Sequence, residues 1–203
     1  MKSLSAIAAV LLAGLASCSQ PTGEKTVQKE MSQEELIKRG KYIVTVSACH
    51  DCHSPKVFSP ERGMELDTNR LLSGHPKDEP LPPTPGEGAK SGWTLFAPGL
   101  TASQGAWGLS YAANLTPHET GIANWTFEQF KTALRKGKYK GLESGRDLLP
   151  PMPWQMYRNF TDDDMLAVFT YLKSLKPVDN LVPYPVSPDK LQSFNTNATN
   201  TYK

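Results

Sequence analysis

The sequence has 203 residues, a formal net charge of +2, 21% charged residues and 38% apolar residues. This length allows one domain with a hydrophobic core and is short for two. The nearly balanced charge argues against a nucleic-acid-binding protein, because such proteins usually carry a basic face or stripe. Seventeen prolines and fifteen glycines indicate a core interrupted by long irregular connections.

The first 20 residues read MKSLSAIAAVLLAGLASCSQ. The apolar run over residues 4–15 is shorter than the roughly 20 residues of a membrane-spanning helix, so residues 1–17 are predicted to be an export signal. The letters LASC at its end resemble the lipobox of bacterial lipoproteins, which predicts that Cys18 carries lipid and anchors the protein to a membrane, facing the periplasm. An ordinary secretory signal that contains a cysteine is the alternative. The residue after Cys18 is Ser19 and not an aspartate, which resembles the pattern of lipoproteins in the outer membrane. This inference depends on the organism.

The rest of the chain divides into three predicted segments. Residues 18–31 are polar and are expected to form a tether. Residues 32–180 are expected to form the folded domain. Residues 181–203 contain three prolines and end in a polar, asparagine-rich stretch, which predicts an extended C-terminal tail.

A first helix is expected to begin near residue 32 and to end at the CHDCH stretch of residues 49–53. Ser32 and Glu35 have the spacing of a capping box, which marks its start. Apolar or small residues recur on one side at helical spacing. Gly40 lies on that side, where it would let another helix cross closely.

The helix leads into CHDCH at residues 49–53, which has three possible interpretations. A structural zinc site needs four ligands, but the chain has no second C-x-x-C, and His75 and His118 have no paired spacing. A redox dithiol would need a βαβ context, and no strand-like alternation is apparent nearby. C-x-x-C-H is, by contrast, the attachment signature of c-type haem.

We therefore expect one haem c, bound covalently through Cys49 and Cys52. His53 would be the proximal ligand of the iron. His50, between the cysteines, is expected to point away from the metal.

The later segments predict two more helices joined by irregular chain. Residues between the haem motif and Asn114 lack helical periodicity and are expected to wrap the haem edge. Thr126 is expected to cap a helix that ends at Gly137, and Thr161 to cap the last helix. The helix after Thr126 carries a basic cluster, which consists of Lys131, Arg135, Lys136, Lys138 and Lys140. Either a docking patch for an acidic partner or a solvated helix end explains it. The predicted fold class is all-α, a cytochrome c fold with long irregular haem-wrapping loops.

The second axial ligand decides the function, because methionine favours electron transfer whereas an open position favours ligand binding or catalysis. Met152 lies in LLPPMPW, where three prolines forbid a helix and hold the chain extended and stiff. Such a segment loses little entropy when a weak thioether ligand meets iron. We therefore favour Met152, followed by Met156 and then by His75 or His118.

Other methionines fit less well. Met165 recurs with apolar residues at helical spacing and is expected in the core. Met31 lies in the tether, and Met64 in a charged loop.

The segment NLTPHETGIANWTFEQFKTALRKGKYKG…LLPPMPWQMYRNFTDDDMLAVFTYLKSLKPV, together with RGKYIVTVSACHDCHSP, resembles the cytochrome c domains in cytochrome subunits of bacterial periplasmic alcohol and aldehyde dehydrogenases. The resemblance covers most of residues 36–180. It implies that the methionine of P-P-M-P-W, here Met152, is the axial ligand. It also implies that LTPxxxTGI runs beside the haem pocket, where Asn114, Trp125 and Tyr157 would contact the haem edge or its propionates.

Together these features predict a monohaem electron carrier without catalysis of its own. It would accept electrons from a periplasmic dehydrogenase and pass them toward an oxidase or another redox protein. Two alternatives remain open: a fixed subunit of a dehydrogenase complex, and a haem enzyme or sensor with an open sixth position.

Overall fold

The computed structural model describes residues 30–82 and 92–191. The predicted export signal, Cys18, most of the tether and the end of the predicted tail lie outside these residues. The predictions made for them therefore stay predictions. Within the described residues, no helix is both long enough and apolar enough to cross a membrane.

Two helices cross at Gly40. The first, α1 (Gln33–Val46), begins with the predicted capping box: Ser32 N donates to the Glu35 carboxylate over 2.7 Å. The second is α5 (Asp162–Ser174), the last α-helix of the described residues, and it is capped by Thr161 as predicted. A Cβ atom on Gly40 would overlap the backbone carbonyl of Ala167 in that last helix. The glycine thus permits the close approach that the sequence indicated.

Three further α-helices lie between these two in the described part of the chain. The five-residue α2 (Cys49–His53) follows α1 after a left-handed residue, Ala48 (φ 56°). Helix α3 (Phe127–Lys136) has a capping box from Thr126 and ends at Gly137 (φ 66°), both as predicted. The short α4 (Trp154–Tyr157) precedes α5.

One apolar core joins the three longer helices. Phe130 of α3 stacks on Phe169 of α5 at 5.3 Å between ring centroids. Met165 is fully buried, as expected for a core methionine. The buried core comprises Ile43, Val44, Leu72, Ile122, Phe130, Leu134, Met165, Val168, Tyr171 and Leu172.

The all-α prediction is wrong, because the described residues also form two antiparallel sheets. The first pairs β1 (Lys56–Ser59) with β2 (Gly63–Leu66). The second has the order β3 (Leu95–Phe96), β4 (Ala102–Gly105), β5 (Gly108–Tyr111).

The strands escaped the sequence analysis for a physical reason. They are two to four residues long, and every residue of β4 is buried, so the apolar and polar alternation of a half-buried strand is missing. Buried polar residues take its place: Ser103 and Ser110 pair across the sheet, with 3.1 Å between their hydroxyl oxygens. The expected irregular connection is therefore partly a sheet.

The sheet extends into the described part of the predicted tail. Leu109 of β5 and Val186 exchange both backbone hydrogen bonds, at 2.8 and 2.9 Å. Residues near 186 are thus packed against β5. The predicted domain boundary at 180 stays a prediction.

Candidate haem site

The two cysteines of CHDCH lie on one short, half-buried helix. Cys49 and Cys52 are both free thiols, and Cys49 packs against the apolar core. Burial raises the pKa of the Cys49 thiol to about 11 and raises the pKa of the Cys52 thiol as well. A redox dithiol needs a lowered thiol pKa, so this environment does not favour that interpretation.

His53 is held by its backbone and by one ring nitrogen. Its Nδ1 lies 2.8 Å from the Ala113 carbonyl oxygen, which fixes the ring with Nδ1–H as the donor. The His53 carbonyl accepts from Gly74 N over 2.8 Å. Burial lowers the pKa of His53, so the imidazole is neutral near pH 7. Among the described residues Nε2 has no hydrogen-bond partner, and a neutral imidazole oriented through its other nitrogen is the usual form of a metal-bound histidine.

His50 is engaged away from such a ligand position. Its Nδ1 lies 2.9 Å from the hydroxyl of Ser54. That hydroxyl also accepts from Leu72 N over 2.9 Å, and Ser54 is fully buried. His50 and Ser54 together close the turn after α2.

Met152 lies on a loop that precedes α4 and is partly buried against the core. On its N-terminal side, the Pro150 carbonyl accepts from the Ser110 hydroxyl over 2.8 Å. On its C-terminal side, Trp154 N donates to the Met152 carbonyl over 2.9 Å. The loop is thus anchored by a distant residue before the methionine and closed by a local hydrogen bond after it, while the thioether itself has no hydrogen-bond partner among the described residues.

The other candidate ligands are hydrogen-bonded or exposed. His75 is 1% exposed, and its Nδ1 lies 2.9 Å from the Thr101 hydroxyl. His118 Nδ1 lies 2.9 Å from the hydroxyl of Thr120. Met156 is 66% exposed, so it lies in solvent rather than in a pocket. Because His53 has such a bond too, the Nδ1 contacts of His75 and His118 do not exclude them as ligands. The partial burial of Met152 against the core favours it over Met156, and its role stays a prediction.

Trp125 and Tyr157 are both partly buried and pack against the core, as Cys49 and Met152 do. The Tyr157 hydroxyl donates to the Ser47 carbonyl over 2.7 Å, and burial raises its pKa to about 12. No described residue accepts a hydrogen bond from the Trp125 indole N–H, so that donor is available to a ligand. The predicted haem contacts of both residues stay predictions.

Asn114 has a different environment. It is 4% exposed, and its amide donates to Thr120 Oγ1 and to the Val178 and Asn180 carbonyls. Its oxygen accepts from the backbone and hydroxyl of Thr116 at 2.9 and 2.7 Å. The side chain ties three segments together. Its predicted contact with haem stays a prediction, and any such contact would come through its apolar surface.

The residues present fit a covalent haem. They supply two free thiols, an oriented neutral imidazole, a thioether on an anchored loop and a partly buried apolar surface around them. Such residues would be able to hold a haem iron through a histidine and a methionine.

Three curated proteins show what the chain is similar to. It is 31% identical over 149 residues to the alcohol dehydrogenase (quinone) cytochrome c subunit of Gluconobacter oxydans, which covers 72% of the chain and 23% of the relative. It is 30% identical over 185 residues to the fructose dehydrogenase cytochrome subunit of Gluconobacter japonicus, covering 88% and 30%. It is 27% identical over 165 residues to the gluconate 2-dehydrogenase cytochrome c subunit of Pantoea cypripedii, covering 78% and 29%.

The chain is similar to cytochrome c subunits of bacterial dehydrogenases over part of their length. The predicted resemblance is confirmed by these matches. The chain spans less than a third of the length of each relative. No family model matches the sequence.

Two residues of this cytochrome relative were missed by the sequence analysis. The Lys56 ammonium donates to the carbonyls of His50, Ser54 and Asp51, and thereby caps the end of the haem-motif helix. A lysine three residues beyond a helix end is a recognisable signal for such a cap. Ser110 is the second missed residue, and no local pattern marks it.

The basic cluster is largely neutralised in the structure. Lys131 and Arg135 both pair with Asp162, and two further lysines pair with acidic residues on the following loop. These further pairs are Lys136 with Glu143 and Lys138 with Asp147. The pairing favours a solvated helix end over a docking patch for an acidic partner.

Proposed function

We propose that this chain is an electron-transfer cytochrome c with one haem c attached through Cys49 and Cys52. His53 and Met152 would hold the iron, which takes up and releases one electron when bound. The observation that carries the proposal is the environment of His53: its Nδ1 is committed to the Ala113 carbonyl and its Nε2 is left free. The resemblance to dehydrogenase cytochrome c subunits supports the same function.

The protein's own residues would keep the iron six-coordinate. The Ala113 carbonyl orients His53. The anchored loop presents Met152 with little conformational freedom. Because neither ligand has to leave during electron transfer, no substrate position opens, and the chain would not be an enzyme by itself.

The proposed electron donor is a periplasmic dehydrogenase, and the proposed acceptor lies on the path to a terminal oxidase. We further propose export, with anchoring to a membrane through lipid on Cys18 and the outer membrane favoured by Ser19. Labelling with a radioactive fatty acid tests the anchor. Label in the wild type that is lost in Cys18→Ala supports it, and an unlabelled wild type contradicts it.

A second candidate is a fixed cytochrome subunit of an alcohol or aldehyde dehydrogenase complex. The names of the relatives favour it, because each is a subunit. Purification from native membranes separates the two. Recovery of a dehydrogenase in constant proportion after a salt wash supports the fixed subunit, whereas recovery of the cytochrome alone supports the carrier.

The optical spectrum tests the ligands. The oxidised wild type is expected to show a methionine-to-iron charge-transfer band that disappears in Met152→Leu. Met156→Leu is the matched control, since Met156 is exposed on the neighbouring turn and should keep the band. High-spin iron in the wild type that binds carbon monoxide readily when reduced would favour a haem enzyme or sensor and contradict the proposal.

A further inference from the structure

The segment of residues 148–153, which carries Met152, is called the methionine loop below. The hydroxyl of Ser110 donates to this loop from a distant part of the chain. Ser110 lies on β5, 40 residues before Pro150, and is 8% exposed. The 2.8 Å distance from its Oγ to the Pro150 carbonyl is shorter than the 3.4 Å to the Ser103 carbonyl. Since a hydroxyl has a single proton, Pro150 is the acceptor that the geometry favours.

Two other groups fix the direction of that proton. The Trp107 indole N–H donates to Ser110 Oγ over 3.1 Å. The Ser103 hydroxyl lies 3.1 Å away and can donate to the same oxygen. With both lone pairs of Ser110 occupied, its proton is directed at Pro150, and a donor that itself accepts hydrogen bonds is strengthened.

The other end of the loop is supported independently. Leu148 N donates to the Gly137 carbonyl over 2.6 Å. The ring of Trp154 packs so closely on Gly137 that a Cβ atom there would overlap it. Between these supports, the Ser110 hydroxyl at Pro150 is the one polar anchor that the loop receives from elsewhere in the described residues.

We infer that Ser110 is a positioning residue for Met152, and that the sheet β3–β4–β5 serves to hold the methionine loop in place. The inference rests on the proposed function, because it presupposes that Met152 binds iron. A thioether is a weak ligand, so freeing the loop two residues away raises the fraction of molecules in which the methionine has left. Loss of one buried hydrogen bond predicts an increase of about fivefold in that fraction.

The test compares Ser110→Ala with Ser103→Ala in the mature holoprotein. Both variants remove one buried hydroxyl from the same cluster, but only the first removes the donor to Pro150. Carbon monoxide binding to the reduced protein reports departure of the methionine, and urea unfolding reports global stability. The charge-transfer band of the oxidised protein, followed in urea below the unfolding transition, gives an independent reading.

Ser110→Ala is expected to bind carbon monoxide about fivefold faster and to lose the band before it unfolds. Ser103→Ala keeps the Ser110 donor and its contact with the Trp107 indole, so it should stay within twofold of the wild type. Equal carbon monoxide rates in the two variants would overturn the inference, whatever the change in global stability. If the band is present in the wild type and absent in Met152→Leu, such a result leaves the proposed function intact. A wild type without the band overturns both.

Discussion

His53 follows its two cysteines on one five-residue helix, whereas Met152 lies on a loop whose supports come from residues 110 and 137. The turn that carries His53 is closed locally, with Lys56 and Ser54 capping it, although the Ala113 carbonyl that orients the ring lies 60 residues away. The methionine side depends on a sheet and on a helix end that are distant in sequence. The difference teaches that the proposed histidine ligand can be recognised from a local motif, while the proposed methionine ligand depends on a loop that distant residues hold in place.

The largest effect is expected on the histidine side, where loss of the two cysteines should release the haem. Changing both Cys49 and Cys52 to alanine removes the two covalent attachment points, so haem should be lost from the denatured chain. Haem staining after denaturing electrophoresis measures it. Met152→Leu should keep the stain while losing the charge-transfer band, and a stained double variant would contradict the assignment.

Gly74→Ala should disturb the support behind His53. Gly74 has φ 79° and donates to the His53 carbonyl, and a Cβ atom would lie 2.5 Å from the Ala112 carbonyl oxygen. Left-handed strain and backbone displacement together predict a loss of about 3 kcal/mol in the free energy of unfolding. Urea unfolding measures it.

Gly63→Ala is the matched control for this change. Gly63 has φ 76°, but a Cβ atom there would meet nothing within 4 Å. Only the left-handed backbone strain should therefore lower the free energy of unfolding of this variant, by about 1 kcal/mol. Equal losses in the two variants would show that the space behind His53 is not tight.

Acid should weaken the segment on which His53 rests. His75 N donates to the Ala112 carbonyl, and burial lowers the pKa of its imidazole to about 4. The unfolded chain, with a histidine pKa of about 6.5, binds more protons between these values, so stability falls as pH drops from 6.5 to 4. We expect a loss on the order of 2 kcal/mol over this window.

The comparison of wild type with His75→Phe isolates this contribution. The variant loses the hydrogen bond to Thr101 and is expected to be less stable at neutral pH. Its stability should nevertheless change less between pH 6.5 and 4, as measured by urea unfolding at each pH. Parallel pH profiles would mean that His75 is not the responsible group.

The smallest expected effect concerns the hydrogen bond that joins the two sides. Tyr157→Phe removes the donor to the Ser47 carbonyl, at the end of α1 next to the haem motif. A loss of about 1 kcal/mol in the free energy of unfolding is expected. Tyr42→Phe on α1 is the control, because Tyr42 is 57% exposed and should change stability by less than about 0.5 kcal/mol.

Much of the helical framework could be predicted, because its signals are local. The capping boxes at Ser32 and Thr126 and the close crossing at Gly40 all appear as expected. The sheets could not be predicted in this way. Their strands are short, and they are stabilised by buried pairs such as Ser103 with Ser110, whose partners lie on different strands.

The sequence by itself determined the attachment motif and singled out the proline-flanked methionine, because both depend on residue types within a few positions of each other. Only the tertiary structure decided how the two are supported. It places the Ala113 carbonyl behind His53 and the Ser110 hydroxyl on Pro150, 60 and 40 residues away respectively. Such contacts arise when the chain packs, and no short-range pattern specifies which distant donor or acceptor will meet a given residue.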